Sequence, residues 1–343
     1  MFQAGLIGTG YWGPNLANAI ERSGKAKVRW LCDKNSANLA ALAQRYPHAW
    51  ATTCVRDLLE DPDLDAIFIA TPTITHHELG KQALQAGKHV LVEKPMTTSS
   101  RDALELVRLA EEQKRILMVG HVFEYNRAIE IVDDLINSGE LGDIYYMNFE
   151  RTNLGPVRTD VNALWDLVTH DASIMCDFMK RSPISVTAKG QCYLNSGIED
   201  VVFATFIFDG GVAAHVHASW LNPNKVRQVT VVGNKKMVVC DDLDLRQPVR
   251  IYDKRVRLPP PTAVSGTFVQ HKTMILDGGA SIPVVQSSEP LVTEIDHFLD
   301  CIALNRRPRS DGVSGLRVVR MMEAAAESIA HDSAIVSLGS QTR

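Results

Sequence analysis

The 343-residue sequence predicts an α/β protein in two parts: a parallel, helix-covered sheet, then an α+β half with a mostly antiparallel sheet. Three observations predict it. Residues 3–119 alternate short apolar runs with helical patterns. A glycine-rich turn, Gly8-Thr9-Gly10-Tyr11-Trp12-Gly13, joins the first run to the first helix. From Ile184 onward, β-branched runs follow one another with only turns between them. Near-continuous apolar strands separated by helices belong to a sheet buried on both faces, whereas successive strands joined by turns are hairpin neighbours. The division falls at 1–121 and 122–343.

In order, Gln3–Ile7 reads as a strand and Pro14–Arg22 as the helix after the glycine turn. Lys27–Cys32 is the next strand, Ser36–Arg45 and Val55–Glu60 are helical, and Ala66–Ala70 is a strand. Ile74–Ala86 is a helix that Gly87 can end. The strand His89–Val92 runs into Glu93-Lys94-Pro95; the amphipathic helix Ser99–Gln113 and the strand Ile116–Val119 close the series. The second half opens with helices at Arg127–Asn137 and Leu164–Lys180. Strands follow at Ile184–Ala188, Val201–Phe208, Val212–Ser219, Arg227–Val232 and Met237–Cys240. Lys254–Pro283, rich in proline, glycine and polar residues, reads as a long excursion. Helices near Pro290–Leu304 and Ser314–His331 finish the chain.

Composition narrows the function. With 45% hydrophobic and 22% charged residues and a net charge of −4, the chain is of ordinary globular type and lacks the basic surface that nucleic acid calls for. No run approaches the roughly 18 apolar residues of a membrane helix. The N-terminus carries no basic stretch before its first strand, so a cytoplasmic location is expected. Six scattered cysteines without a C-x-x-C pair read as buried apolar residues, not as disulfides or a metal site.

Gly8-x-Gly10-x-x-Gly13 gains meaning from its context. It follows a strand, opens a helix and precedes Asp33 by twenty residues. Such glycines let the backbone approach a pyrophosphate at the positive end of a helix, and the acid at the end of the second strand accepts the ribose hydroxyls. Asp33 repels a 2′-phosphate, so NAD is expected in preference to NADP. Ligands of such sheets sit at the carboxyl ends of the strands. Lys94, with Pro95 fixing the backbone after it, stands there.

Gly8–Gly13, Asp33, Ala70-Thr71-Pro72, His76-His77, Glu93-Lys94-Pro95, Gly120-His121, Ser138–Gly142 and Asp166-Leu167-Val168-Thr169-His170 together resemble the glucose–fructose oxidoreductase / inositol dehydrogenase (Gfo/Idh/MocA) family over most of the chain. The resemblance implies a Rossmann domain and an α+β domain with an open sheet. It also implies homodimers or homotetramers, and NAD(P)-dependent oxidation or reduction of a sugar, cyclitol or nucleotide-sugar hydroxyl. It makes Lys94 and His170 the catalytic pair and Asp166 their acidic partner. Where many relatives carry glycines around that acid, this chain has Asn162-Ala163-Leu164-Trp165 and Val168. The segment Asn153–Asn162 resembles a branch associated with nucleotide sugars.

Asp166 and His170, four apart in a helical pattern, are expected to share a face, the carboxylate orienting the ring and favouring its protonated form. His170 is then the base, Lys94 stabilises charge on the reacting oxygen, and which of them takes the proton stays open. Tyr11, Trp12, Thr71, Pro72, His76 and Glu93 join the glycines, Asp33 and Lys94 as cofactor-binding candidates. Tyr125 and Asn126 are expected to line the cleft. Arg151, Asn153 and Arg158 either receive a carboxylate or diphosphate or are solvated surface groups. Trp165 packs in the core or stacks on a sugar or base. Besides a nucleotide-sugar dehydrogenase, three readings stay open: an inositol or free-sugar dehydrogenase, a glycosidase-like enzyme using NAD transiently, and an NAD-binding regulator without turnover.

Overall fold

The computed structural model describes residues 1–257 and 274–339. Its first sheet holds β1 (Phe2–Ile7), β2 (Ala26–Cys32), β3 (Trp50–Thr52), β4 (Ala66–Ile69), β5 (His89–Glu93) and β6 (Leu117–Gly120). All pairings are parallel, in the order β3-β2-β1-β4-β5-β6. Every residue of β4 and β6 is buried, as double coverage requires. The order reverses between β1 and β4, which opens a crevice at their carboxyl ends. The helices between strands are α1 (Gly13–Arg22), α2 (Ser36–Ala43), α3 (Val55–Glu60), α4 (His76–Gln85) and α5 (Ser100–Glu112). Asn35 caps α2 through Ala37 N and Asn38 N, and Ser99 caps α5 through Asp102 N, so side-chain oxygens fix both starts.

The second half contributes α6 (Arg127–Asn137), β7 (Ile144–Leu154), α7 (Thr169–Met179), β8 (Ser185–Gln191), β9 (Val201–Ile207), β10 (Ala213–Ser219), β11 (Leu221–Gly233), β12 (Met237–Asp241), β13 (Val249–Arg257), β14 (Met274–Ser281), α8 (Pro290–Leu304), α9 (Gly312–Ala330) and β15 (Val336–Ser337). Its sheet runs β14-β13-β12-β11-β7-β10-β9-β8-β15. Of its pairings, β7 with β10 is parallel and the rest are antiparallel. Period-two alternation sends Met147, Phe149, Ala204, Phe206, Ala214 and Val216 inward, into one core with Met175 on α7 and Met321 on α9. Tyr146, Asn148, Glu150, Phe203, His215 and His217 lie on the opposite face.

The last helices return to the first sheet. Ile295, Phe298 and Leu299 of α8 pack with Leu6, Leu16 and Ile20, and Phe298 meets Phe68 edge-on at 5.4 Å. Leu316 and Val319 of α9 join Val119 and Met96. Division at residue 121 therefore separates the two sheets but not the two cores.

Several sequence expectations need correction. β3, three residues long and half exposed, carries no apolar run to reveal it. β7, central in its sheet, has no counterpart among the expected strands; Met147, Phe149 and the charged Arg151 occupy its inward positions. The expected excursion Lys254–Pro283 begins in β13 and runs through the edge strand β14, with Lys254 opposite Asp277 and Arg255 opposite Leu276. Its residues 258–273 lie outside the described residues. The expected helix Leu164–Lys180 starts as a π-helical turn, Leu164–Val168, before α7. All six cysteines are free; Cys54 and Cys192 are exposed, the other four buried. Among the described residues, no helix is long and apolar enough to cross a membrane.

Candidate active site

The glycine turn leaves room for a ligand where the protein offers none of its own atoms. Gly8 has φ +99°, and a Cβ there would stand 2.5 Å from Ala70 O. A Cβ on Gly13 would overlap Gly8 O, so α1 packs directly on the turn. A Cβ on Gly10 would meet nothing closer than Asn38 Nδ2 at 3.8 Å, which leaves its backbone open to approach. Trp12 stands at the N-cap of α1 without a side-chain cap; its carbonyl accepts from Asn15 N at 3.0 Å and Pro14 has no N–H, so the positive end of the helix meets the turn at Gly13.

At the end of β2, Asp33 Oδ2 accepts from Thr9 N (2.6 Å) and Thr9 Oγ1 (3.0 Å), and Oδ1 accepts from Asn35 N (2.8 Å). The carboxylate is thereby fixed beside the turn while staying partly exposed. An anion cradle, an open glycine and a pinned acid fit a dinucleotide, with ribose hydroxyls on Asp33. Gly8→Ala is expected to weaken NADH binding roughly tenfold or more, through strain at positive φ and displacement of the turn. Titrating NADH fluorescence checks this; unchanged affinity contradicts it.

Tyr11 is 94% exposed and touches the site only through its backbone position. Trp12 Nε1 donates to Glu93 Oε1 at 2.6 Å, tying the turn to the end of β5. Burial pushes the Glu93 carboxyl up to about 7, against the pull of Lys94. Thr71 and Pro72 follow β4, and Thr71 Oγ1 lies 2.7 Å from Thr75 Oγ1. His76 departs from expectation. It is 1% exposed, its ring lying 2.9 Å from Pro95 O and 2.8 Å from Thr71 O. Because α4 starts at this residue, its ring lies between the two loops and braces them instead of facing the crevice. His77 turns to Glu105 (3.0 Å).

Lys94 follows β5, and its peptide bond to Pro95 is cis. Its Nζ donates to Asp166 O at 2.9 Å and to Asp166 Oδ1 at 3.4 Å, across 72 residues. Burial draws the Lys94 amine below its ordinary range, while Asp166 and Glu93 oppose that shift. Asp166 also accepts from Arg158 Nη1 (3.1 Å) and, on Oδ2, from Trp220 Nε1 (3.2 Å). The structure thus brings Lys94, Asp166 and Arg158 together at the end of β5. The π-helical turn carries Asp166, a geometry frequent at functional sites.

The expected Asp166–His170 contact is absent. Asp166 is held by Lys94, Arg158 and Trp220, and among the described residues no hydrogen bond engages the His170 ring; its Nδ1 is buried and unpartnered. Burial first, then Lys94 and Arg151, draws the imidazole well below its ordinary range. His170 is therefore neutral at pH 7, the reverse of the expected imidazolium. The ring packs edge-on to Phe123, centroids 4.8 Å apart. His121 is 1% exposed, with neither ring nitrogen partnered among the described residues, and is drawn down to about 3 by burial and by Lys94.

Of the substrate candidates, Arg158 reaches the site and bridges Asp160 and Asp166. Arg151 is buried. It is 6% exposed, both Nε (3.0 Å) and Nη2 (2.8 Å) donate to Asp171 Oδ1, and its guanidinium lies 4.4 Å from the Phe123 centroid. Tyr125 is core, 2% exposed, its hydroxyl 3.0 Å from Ser310 Oγ. Asn126 caps α6 through Ala128 N and donates to Asp242 Oδ1 at 2.8 Å. Asn153 is partly exposed and folds against Gly155. Trp165 is partly buried and packs against two of the hydrophobic clusters. Sequence reasoning missed Phe123 and Trp220. Both reach the site through long-range packing that no local spacing signals.

Comparison with known proteins agrees with this architecture. Residues 2–121 match the GFO/IDH/MocA model described as an oxidoreductase family with an NAD-binding Rossmann fold, and residues 129–239 match the C-terminal domain model of the same family. The UDP-N-acetylglucosamine 3-dehydrogenase of Acidithiobacillus ferrooxidans is 26% identical over 92% of this chain and 94% of its own. A solved structure of that enzyme superposes with a TM-score of 0.81 at 25% identity, covering 95% of this chain and 97% of its own. The scyllo-inositol 2-dehydrogenase (NAD(+)) of Bacillus subtilis is 26% identical over 74% of this chain and 71% of its own. Levoglucosan dehydrogenase in complex with NADH and L-sorbose, at 18% identity, shares the fold with a TM-score of 0.83 over 99% of both chains.

Proposed function

We propose, for a chain that belongs to the Gfo/Idh/MocA family of NAD-binding oxidoreductases, that it interconverts a secondary hydroxyl and a ketone on the ring of a nucleotide sugar. The observation that carries the reading is the bond from Lys94 Nζ to Asp166, which joins the end of the nucleotide-binding sheet to the turn that leads into His170. The likeness to a UDP-sugar dehydrogenase over nearly the whole chain supports the substrate class.

The chemistry a bound NAD supplies here is hydride acceptance or donation at the nicotinamide. The chain's residues do the rest. Lys94, tied to Asp166 O and Oδ1, presents its ammonium to the reacting oxygen and stabilises charge there. His170, neutral and with no hydrogen-bond partner for its ring among the described residues, accepts the hydroxyl proton. Asp166 positions Lys94 and Arg158, and Trp220 fixes the carboxylate. Gly8, Gly10, Gly13 and Asp33 would hold the dinucleotide, together with Trp12, Thr71, Pro72 and Glu93 at the strand ends.

The test is NADH absorbance during incubation of the protein and NAD with UDP-sugars, inositols and free hexoses. Turnover of a UDP-sugar supports the reading, and turnover of inositols alone overturns it. The pH profile is a second test. Because His170 is held below the usual histidine value of about 6.5, its ring stays neutral as pH falls past that point, and kcat/KM holds until the lower native value is crossed. An acid limb at the ordinary histidine value would contradict it.

We also propose that the chain forms a homo-oligomer through the uncovered sheet face, where Tyr146 is 48% and Phe203 44% exposed. Size-exclusion chromatography with light scattering is expected to give a multiple of 37.9 kDa, and a monomeric mass contradicts it.

A further inference from the structure

Three arginines stand around the catalytic turn, and their partners differ. Arg151 has both donating nitrogens on Asp171 and is buried. Arg158 is engaged by Asp160 and Asp166 through three hydrogen bonds. Arg227 has one long contact, Nη1 to Asp242 Oδ2 at 3.4 Å, while Asn126 Nδ2 holds the other Asp242 oxygen at 2.8 Å. Its side chain remains 38% exposed.

Register fixes where this guanidinium points. Arg227 on β11 pairs directly with Arg151 on β7, so both side chains leave the sheet on the inner face. Phe123 collects them. The Arg151 guanidinium lies 4.4 Å and the Arg227 guanidinium 5.7 Å from the ring centroid, and His170 meets the same ring edge-on at 4.8 Å. Arg227 is thus a cation one aromatic ring away from the His170 imidazole, with most of its donor fork unclaimed among the described residues. A guanidinium in this state, stacked on an aromatic face and only partly hydrated, matches paired anionic oxygens in a planar fork. Asp242 limits the charge it offers but occupies only one nitrogen.

We propose that Arg227 determines substrate specificity by receiving the anionic oxygens, phosphate or carboxylate, that the sugar substrate carries. This rests on the sugar-oxidoreductase reading above and extends it, because a neutral cyclitol has nothing to place on the fork.

The experiment compares wild type, Arg227→Ala and Arg227→Lys with three probes. UDP-N-acetylglucosamine carries a diphosphate, glucuronate a carboxylate, and myo-inositol neither. For the anionic probe that wild type turns over, Arg227→Ala is expected to raise KM about 10- to 100-fold, with a far smaller change in kcat and no change in the KM for NAD. Arg227→Lys, which keeps the charge and loses the fork, is expected to recover part of that loss. Which anionic probe responds identifies the source of the oxygens. Turnover of an anionic probe with KM unaltered in Arg227→Ala overturns this assignment and leaves the general reading standing. Turnover of myo-inositol alone overturns both. If wild type neither turns over nor binds either anionic probe by calorimetry in the presence of NADH, the assignment is overturned.

Discussion

Lys94→Ala is expected to lower kcat by about three orders of magnitude while NADH affinity changes little, a range typical for loss of a preorganised electrostatic group. Asp166 O and Oδ1 hold the ammonium in place, so no reorganisation is needed when charge develops on the reacting oxygen. Nothing else in the immediate set replaces it. Arg158 is bound to Asp160 and Asp166, and His121 is neutral. Lys94→Arg is expected to recover little, because Nζ sits in a buried position that the larger guanidinium cannot share with Asp166. Rates within tenfold of wild type for Lys94→Ala, with cofactor bound, would remove Lys94 from the mechanism.

Arg151→Met is expected to have the largest effect on stability, about 3–5 kcal/mol, because it strands the Asp171 carboxylate at 2% exposure. Among the described residues Asp171 Oδ2 lacks a partner, and the two bonds from Arg151 to Oδ1 are the side-chain bonds the carboxylate has. The sign with pH follows from the same group. Burial raises the native Asp171 value and Arg151 opposes the rise, so removing Arg151 lifts it further. A group raised in the native state favours the fold at low pH and loses that advantage as pH rises through its native value. The deficit of Arg151→Met is therefore expected to shrink on acidification. A second replacement, Asp171→Leu, should restore most of the loss. Thermal melts of the three proteins across pH check this, and an Arg151→Met melt like that of wild type contradicts it. Since Asp171 follows His170 and Arg151 lies over Phe123, the pair also fixes the ring that His170 packs on.

What could be read in the sequence was what local chemistry writes there. Apolar strands buried on both faces announced the first sheet, and glycines with Asp33 at fixed spacing announced the cradle, because close backbone approach admits no other residue at Gly8. Glu93-Lys94-Pro95 was legible as a strand end. The partners of those residues were not. Lys94 meets Asp166 across 72 positions, Tyr125 meets Ser310 across 185, and Trp220 reaches Asp166 across 54. Helical spacing predicted an Asp166–His170 pair, but the π-helical turn and the cations around Asp166 gave the carboxylate other partners. Arg151 read as an anion ligand or a solvated surface group because its charge is visible in sequence while its burial against Asp171 is not.

The most direct measurement of the central claim follows the hydrogen itself. A UDP-sugar deuterated at every ring carbon is incubated with the protein and NAD, and the reduced cofactor is analysed by mass spectrometry. The account predicts one deuterium in each NADH formed, with no such product from the Lys94→Ala protein on the same timescale. NAD left unreduced while the sugar nucleotide is consumed, or NADH formed without deuterium, would contradict it.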